Sequence, residues 1–238
     1  MTKNVSMLVL IITLLQCQFS RCLLSTAVKL RAIDAKTWIN DNVRVLEPSV
    51  KRERNPFGIL VPLLGKGCDV TVDWDDPHKG AAELATKCFE RNAADGEVVA
   101  VLVEALGQFR NLTVEEGITA TSFKARIVAT RGSIGIKCPR WHYDHVPVRY
   151  IQALVGPGCD YVVSENGVDR SVLNQADECE TERINRHVVD PTVADIRRGR
   201  EGEAVVLRGT TGCDRPAVHK SPELPWWQGR ILMTLDIM

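Results

Sequence analysis

At the centre of the chain stands the stretch Cys138-Pro139-Arg140-Trp141-His142-Tyr143-Asp144-His145-Val146-Pro147-Val148-Arg149. In an extended strand, side chains alternate between the two faces, so residues two positions apart point the same way. The spacing of His142 and Asp144 therefore predicts an imidazole and a carboxylate on one face of a strand. These groups are two of the three ligands of a 2-His-1-carboxylate metal site.

A second histidine for such a site has to come from far along the chain. We predict that His219, in the segment Ala217-Val218-His219-Lys220-Ser221-Pro222, is that ligand. Cys138 has the same parity as His142 and Asp144, so its thiolate is a candidate fourth ligand for a tetrahedral zinc site. The alternative for a lone strand cysteine is simple burial as a small apolar side chain.

Two other residues of the stretch, His145 and Arg149, are not predicted to bind the metal. His145 falls on the opposite face from His142, which indicates a packing or supporting role rather than a ligand. Arg149 is interpreted as a charge on a strand surface, with a role as a carboxylate anchor as the competing hypothesis.

Composition limits the classes of protein that fit the chain. Its 238 residues suit one domain with a leader, or two small domains, and 45% apolar with 25% charged residues is typical of a globular core. Thirty basic and thirty acidic residues cancel. No basic field then favours nucleic acid or an anionic membrane, and we predict neither as a partner.

The N-terminus differs from the rest of the chain. An apolar run at residues 7–15 follows Lys3, and its length is that of a signal-peptide core, too short to span a bilayer. We predict a targeting segment at residues 1–26 and a single domain at residues 27–238. The expected localisation is the secretory pathway or an organelle. The alternative is a cytoplasmic protein whose apolar run belongs to the fold.

The mature chain would keep six cysteines, and their spacing is scattered. No Cys-x-x-Cys motif occurs, so a disulfide scaffold is not indicated, although an even count in a secreted chain permits one or two bridges. These residues are Cys68, Cys88, Cys138, Cys159, Cys179 and Cys213.

The order of local patterns predicts the fold class. Residues 28–76 are expected to be irregular, and apolar residues at helical spacing predict helices at residues 80–92 and 97–109. Short β-prone runs follow at residues 118–129, 149–155, 161–164, 204–208 and 231–237, separated by glycines. Helices ahead of short strands predict an α+β domain, specifically a jelly-roll-like, cupin-like β-barrel with an N-terminal helical layer.

The spacing near the C-terminus resembles that of the jelly-roll Fe(II) oxygenases. His219 is followed eleven residues later by Arg230. In that family an arginine on the strand after the second histidine binds the far carboxylate of 2-oxoglutarate. The resemblance implies Fe(II) at His142, Asp144 and His219, with Arg230 as the anchor of the co-substrate. A planar guanidinium suits that role because it binds a carboxylate through two parallel hydrogen bonds.

The chain departs from that family at one position. The oxygenases usually carry a hydroxyl residue two positions after the arginine, where this sequence has Leu232. Thr234 lies on the same face of the strand one step further, and we assign it as the substitute. The oxygenase assignment therefore requires Thr234 to lie on the same side of the folded sheet as Arg230.

Several ordered blocks also resemble an uncharacterised bacterial family, domain of unknown function 1826, over roughly residues 80–238. That family has no established activity, and its members are often encoded near zinc-responsive GTPase metallochaperones. The resemblance therefore implies a link to zinc scarcity and a metallochaperone partner. Its members look cytosolic, so the leader is a departure. The blocks are residues 138–149, 154–159, 167–170, 204–209, 217–222 and 230–236.

Three functional hypotheses follow from these observations. The first is an Fe(II)- and 2-oxoglutarate-dependent dioxygenase whose small-molecule or protein substrate the sequence does not identify. The second is a non-catalytic protein of zinc binding or zinc homeostasis with Cys138 as a fourth ligand. The third is a secreted binding module in which the histidines are structural.

Mass spectrometry of the intact protein tests the targeting segment and the cysteine state together. If the leader directs secretion, the mature chain begins between residues 22 and 27. Cys138 is then either disulfide-bonded or protected by metal, because an oxidising compartment removes free thiols. An intact Met1 with every cysteine reduced would contradict secretion, and a disulfide at Cys138 would exclude that residue as a zinc ligand.

Overall fold

The computed structural model describes residues 38–40, 43–46, 58, 67–88, 96–132, 136–175 and 181–238, all within one compact unit, Lys36–Met238. The predicted targeting segment, residues 1–26, lies outside the described residues. Among the described helices, none is both long and apolar enough to cross a membrane.

Strands dominate the described ranges. The strands are β1 (Trp38–Asn40), β2 (Val43–Leu46), β3 (Cys68–Trp74), β4 (Phe123–Arg131), β5 (Val148–Val155), β6 (Asp160–Val162), β7 (Ile196–Arg198), β8 (Ala204–Arg208), β9 (His219–Lys220) and β10 (Gly229–Ile237). The helices are α1 (Pro77–Cys88), α2 (Gly96–Glu115), α3 (Arg170–Gln175) and α4 (Thr181–Val188).

The strands form two antiparallel sheets. The larger has seven strands in the order β1-β2-β8-β5-β10-β4-β3, and the smaller has three in the order β7-β6-β9. The last strand, β10, lies between β4 and β5 and pairs with both along most of its length. The centre of the large sheet is therefore complete only when the C-terminal strand is in place.

One face of the large sheet carries an aromatic core against the first two helices. Phe109 of α2 meets Phe123 and Tyr150 edge-on, with ring centroids 5.9 and 6.1 Å apart. Trp74 stacks on Phe123 at 4.6 Å. Such pairs add to the free energy gained from burying the rings. Because side chains alternate along a strand, the residues between these lie on the opposite face, where the candidate site is found.

The structure confirms an α+β chain of antiparallel sheets. Both predicted helices exist, and α1 starts earlier than expected because Asp76 caps it: the backbone N–H of Lys79 donates to Asp76 Oδ1 at 3.0 Å. Pro77 then occupies the first helical position, which suits its missing N–H. The β-prone runs of the second half are likewise strands.

The prediction that residues 28–76 are irregular is wrong, because β1, β2 and β3 lie within them. In β3 the apolar residues Val70, Val72 and Trp74 alternate with polar ones, which is the period of a strand. The strand was not recognised because Asp69 and Asp73 make the segment look like a polar loop. They are tolerated there because β3 lies at the edge of the sheet and one of its faces is exposed. Edge strands commonly carry such charges.

Gly80 sets the close approach of α1 to β3. A Cβ added at Gly80 would lie 2.7 Å from Trp74 Cβ and 2.9 Å from Leu106 Cδ2. We expect Gly80→Ala to lower the free energy of unfolding by about 1–3 kcal/mol, the usual cost of overpacking a core.

A matched substitution in α2 controls for helix propensity. A Cβ at Gly107 would meet no atom within 4 Å, so Gly107→Ala should raise the free energy of unfolding by about 0.5–1 kcal/mol. Urea denaturation measures both variants, and equal effects would contradict the packing assigned to Gly80.

Candidate functional site

The structure brings together the three residues that the sequence singled out as ligands. One ligand atom each from His142, Asp144 and His219 lies within 4.8 Å of the other two. The two histidines face each other across a β-bridge: each backbone N–H donates to the other residue's carbonyl at 2.9 Å. Their ring centroids are 4.3 Å apart. Backbone pairing between distant segments thus positions two of the three groups.

The structure has no regular strand at His142 and Asp144, and the isolated β-bridge between His142 and His219 is the strand-like pairing in this segment. Regular strand structure begins only at Val148, where β5 starts. Pro139 and Pro147 flank the segment, and proline has no N–H to donate to a ladder. The segment is extended at His142, but it is not a strand of either sheet.

Hydrogen bonds to backbone carbonyls orient both rings. His142 Nδ1 lies 2.8 Å from the carbonyl of Arg140, and His219 Nδ1 lies 3.4 Å from that of Ala217. A carbonyl only accepts, so each Nδ1 carries a hydrogen, and Nε2 is the atom that a neutral ring would offer as a ligand. Metal-bound histidines commonly have this arrangement, with one ring nitrogen held by a backbone carbonyl.

Asp144 presents a buried oxygen that lacks a well-aligned partner. Its side chain is 9% exposed, and Oδ1 accepts a hydrogen bond from Arg149 Nη1 at 2.5 Å. Oδ2 is buried 3.2 Å from His219 Nε2, yet it accepts no hydrogen bond of good geometry from the described residues. A carboxylate oxygen and an imidazole lone pair repel at this distance, so a proton or a metal cation between them is favourable.

Asp144 stays ionised despite its burial. Burial alone raises the pKa of this carboxyl, but contact with His219 and the charges of His219, Arg149 and His142 outweigh it and lower the pKa to about 2. The group is therefore an anionic acceptor at neutral pH. Two imidazoles and one carboxylate form a donor set that suits a divalent transition metal.

The interpretation of Arg149 as a surface charge is wrong. Its Nε and Nη2 donate to the two carboxylate oxygens of Asp236 at 2.7 and 2.8 Å, while Nη1 holds Asp144. Asp236 lies opposite Arg149 in the register of β10 and β5. Because both carboxylates occupy the guanidinium, Arg149 orients Asp144 and is not a free anchor for a ligand. Sequence reasoning missed Asp236 because no local motif joins the two residues.

A cavity of about 520 Å³ opens beside the three ligands. Alternate residues of β10 line it, with Arg230, Leu232, Thr234 and Asp236 all on this face. Its other polar lining residues are Asp69, Thr71, Lys124, Arg126, Thr130, Lys137, Cys138, His142, Arg149, Cys159, His219, Lys220 and Ser221. Both residues proposed to hold a co-substrate, Arg230 and Thr234, therefore share one cavity with two of the ligands.

Arg230 is the unusual charge of this cavity. Its side chain is buried, with the residue only 3% exposed, and Nη2 donates to Ser221 Oγ at 3.1 Å. Nε and Nη1 are also buried, and neither has a hydrogen-bond partner among the described residues. Burial lowers the pKa of this guanidinium below its ordinary value. The site thus holds a buried cation whose donors are mostly unused.

The remaining predicted residues lie at the edge of the site. Cys138 is exposed, lines the cavity and contacts His142, and a hydrogen bond from His142 lowers the pKa of its thiol. It is not one of the three mutually close ligands, and its φ of 54° is a strained backbone conformation for a non-glycine residue. His145 is exposed, with Nδ1 lying 3.3 Å from Thr210 Oγ1, away from the ligands.

Fold and site together define an antiparallel α+β protein with a His-Asp-His set, of which Asp144 and His219 are buried, beside a basic cavity. The chain belongs to the family described as protein of unknown function (DUF1826), whose model matches residues 102–236. The expected membership of this family is therefore confirmed. No curated protein matches the sequence.

Solved structures show low similarity to the chain. The rice dioxygenase for auxin oxidation is 11% identical with a TM-score of 0.40, over 84% of this chain and 60% of the enzyme. Dioxygenase for auxin oxidation 1 from Arabidopsis thaliana, bound to 2-oxoglutarate, is 10% identical with a TM-score of 0.40, over 89% and 71%. A Pseudomonas putida prolyl-4-hydroxylase is 13% identical with a TM-score of 0.36, over 75% and 96%. The chain thus spans about 60% of the length of the rice enzyme.

The bridging role of Arg149 predicts a large loss of stability when it is removed. Arg149→Met would leave the buried carboxylate of Asp144 and the half-buried carboxylate of Asp236 without their countercharge. We expect the free energy of unfolding to fall by about 3–5 kcal/mol, as when one partner of a buried ion pair is deleted.

Arg126→Met is the matched control in the same cavity. Arg126 pairs with Asp69 through two 2.7 Å hydrogen bonds, but both side chains are more than a third exposed. Its loss should cost no more than about 1 kcal/mol. Urea denaturation compares the variants, and equal losses would show that Arg149 does not hold the site together.

Proposed function

We propose that the protein is a non-haem Fe(II)- and 2-oxoglutarate-dependent oxygenase. Its metal ligands would be His142, Asp144 and His219, and Arg230 would bind the co-substrate. One observation carries the proposal: a buried guanidinium with unused donors shares a cavity with the two histidines of a 2-His-1-carboxylate set.

The three ligands fit Fe(II) chemically. Two neutral imidazoles presenting Nε2 and an ionised carboxylate leave about three positions of an octahedral ion open. The unpartnered Oδ2 of Asp144 is the acceptor such an ion would satisfy. Bound iron would supply a site for chelation of a 2-oxo acid and for activation of dioxygen. The protein's own part is to fix the ligands, which Arg149 does for Asp144.

Arg230 fits the far carboxylate of 2-oxoglutarate. A buried charge without a partner is costly, and a carboxylate accepting two parallel hydrogen bonds removes that cost. The bond to Ser221 places the guanidinium near a residue two positions after His219, about 7 Å along an extended chain. That spacing suits a short dicarboxylate reaching from the ligands to Arg230. Thr234 on the same face is proposed as a second donor to the co-substrate.

We further propose that the two sheets are the walls of a jelly-roll-like barrel, with α1 and α2 forming a helical layer outside it. Cys159 and Tyr161 from the smaller-sheet side pack in one buried cluster with Ile151 and Val205 of the large sheet. This packing and the bridge between His142 and His219 support the arrangement.

A zinc-binding protein is the second candidate, and Cys138 is the observation that favours it. Its thiol contacts His142 at the cavity and has a lowered pKa, as a thiolate ligand requires. Four ligands would close a tetrahedral zinc site and leave no position for a co-substrate. Zinc homeostasis and a zinc metallochaperone partner would then suit the protein. This candidate gives no role to the buried Arg230, which is why we rank it second.

Removal of Arg230 separates the two candidates. In protein purified without a histidine tag and loaded anaerobically with Fe(II), Arg230→Met should keep its metal while its affinity for 2-oxoglutarate falls by about 100-fold. That loss corresponds to two hydrogen bonds to a charged group. Elemental analysis measures the metal, and titration calorimetry measures the affinity.

Two controls make that result specific. Arg126→Met should retain both metal and co-substrate, whereas His219→Ala should lose the metal. Because Arg230 lacks partners for most of its donors, Arg230→Met should also leave the stability of the metal-free protein unchanged or higher. Unaltered 2-oxoglutarate affinity in Arg230→Met, or stoichiometric zinc with Cys138 among its ligands, would reject the oxygenase.

A further inference from the structure

Two cysteines meet on the side of the large sheet that faces away from the cavity. Along β3, Asp69 and Thr71 line the cavity, so Cys68 has the opposite parity and faces the helices. Cys88 is the last residue of α1 and belongs to that helix's buried face. Neither cysteine has a role in the proposed oxygenase or zinc site.

Chain geometry accounts for their meeting. β3 and α1 are consecutive, and the chain reverses between Trp74 and Pro77. β3 runs about 20 Å from its first to its last residue and α1 returns about 17 Å, so the start of the strand and the end of the helix lie side by side. The close approach of Gly80 to Trp74 holds the two elements together. The two thiols lie close enough for each to shift the pKa of the other.

The two thiols differ in reactivity. The interaction with Cys88 lowers the pKa of the Cys68 thiol to about 7, against the opposing effects of burial and of Asp69. The same interaction, with burial, raises the pKa of Cys88. Cys68 is half-buried and Cys88 is buried. Cys68 is therefore the more acidic and the more accessible thiol of the two.

We propose that Cys68 and Cys88 form a redox-active pair that hydrogen peroxide converts to a disulfide. The Cys68 thiolate attacks one peroxide oxygen, the O–O bond breaks, and the departing hydroxide takes a proton to become water. The Cys88 sulfur then attacks the resulting sulfenic sulfur, its proton leaves with the hydroxyl as a second water, and the S–S bond forms. Both sulfurs are oxidised by one electron each, and the peroxide is reduced.

Cys159 and Cys138 lack this combination. Burial, first among several causes, raises the pKa of Cys159 to about 12, which makes it a poor nucleophile. Cys138 has a lowered pKa but its partner is an imidazole, so its oxidation has no neighbouring thiol to resolve it. A bridge at Cys68 and Cys88 would tie the edge strand β3 to α1 without touching the cavity face.

Peptide mapping of the full-length protein tests the pair. The protein is reduced, freed of reductant, treated with stoichiometric hydrogen peroxide at pH 7 and quenched with N-ethylmaleimide. We expect one peptide cross-linked between Cys68 and Cys88. Cys213→Ser, the control variant, should form the same bridge.

A resolving-thiol variant tests the order of the steps. In Cys88→Ser the sulfenic acid at Cys68 has no thiol to react with, so labelling of Cys68 by dimedone should exceed that of the wild type about tenfold. Near-UV circular dichroism establishes that the variant is folded. Recovery of both cysteines as alkylated thiols after peroxide, or equal dimedone labelling in the two proteins, would overturn the proposal.

Discussion

The candidate site depends on two backbone hydrogen bonds, those exchanged between His142 and His219. They join a segment that lies outside both sheets to β9 of the smaller sheet, across 77 positions of sequence. A side chain two residues further along, Asp144, is brought within reach of His219 as a consequence. Because the bonds involve main-chain atoms, the two imidazoles stay opposed whatever their protonation.

Charge is distributed unevenly within the cavity. Near the ligands, Arg149 pairs with both Asp144 and Asp236, and these ion pairs are partly buried. Further along β10, Arg230 is more deeply buried, yet among the described residues its side chain has one hydrogen bond, to Ser221. The first arrangement holds the ligand carboxylate in place. The second leaves a buried cation that a bound anion would neutralise. A domain that retains such a cost generally does so for binding.

The fold was predictable where local periodicity is strong. Apolar residues at helical spacing indicate α1 and α2, and β-branched runs indicate β4, β5, β8 and β10, because each element has its own repeat. The strands of residues 28–76 were missed, since β1 and β2 are short and β3 alternates acids with apolar residues at a sheet edge. The position of β10 between β4 and β5 has no local signal, because pairing is decided by the packing of the whole sheet.

The candidate site, like the fold, combines features that the local sequence predicts with features that depend on long-range packing. The sequence by itself determined which groups are available and which share a face: Arg230 and Thr234 line one cavity because strand side chains alternate. Only the tertiary structure decided which distant groups meet. Arg149 is matched to Asp236 by the register of β5 with β10, and Arg230 is left with spare donors because no acidic side chain of the described residues reaches it. Local geometry repeats along the chain, whereas long-range register depends on the burial of every strand at once.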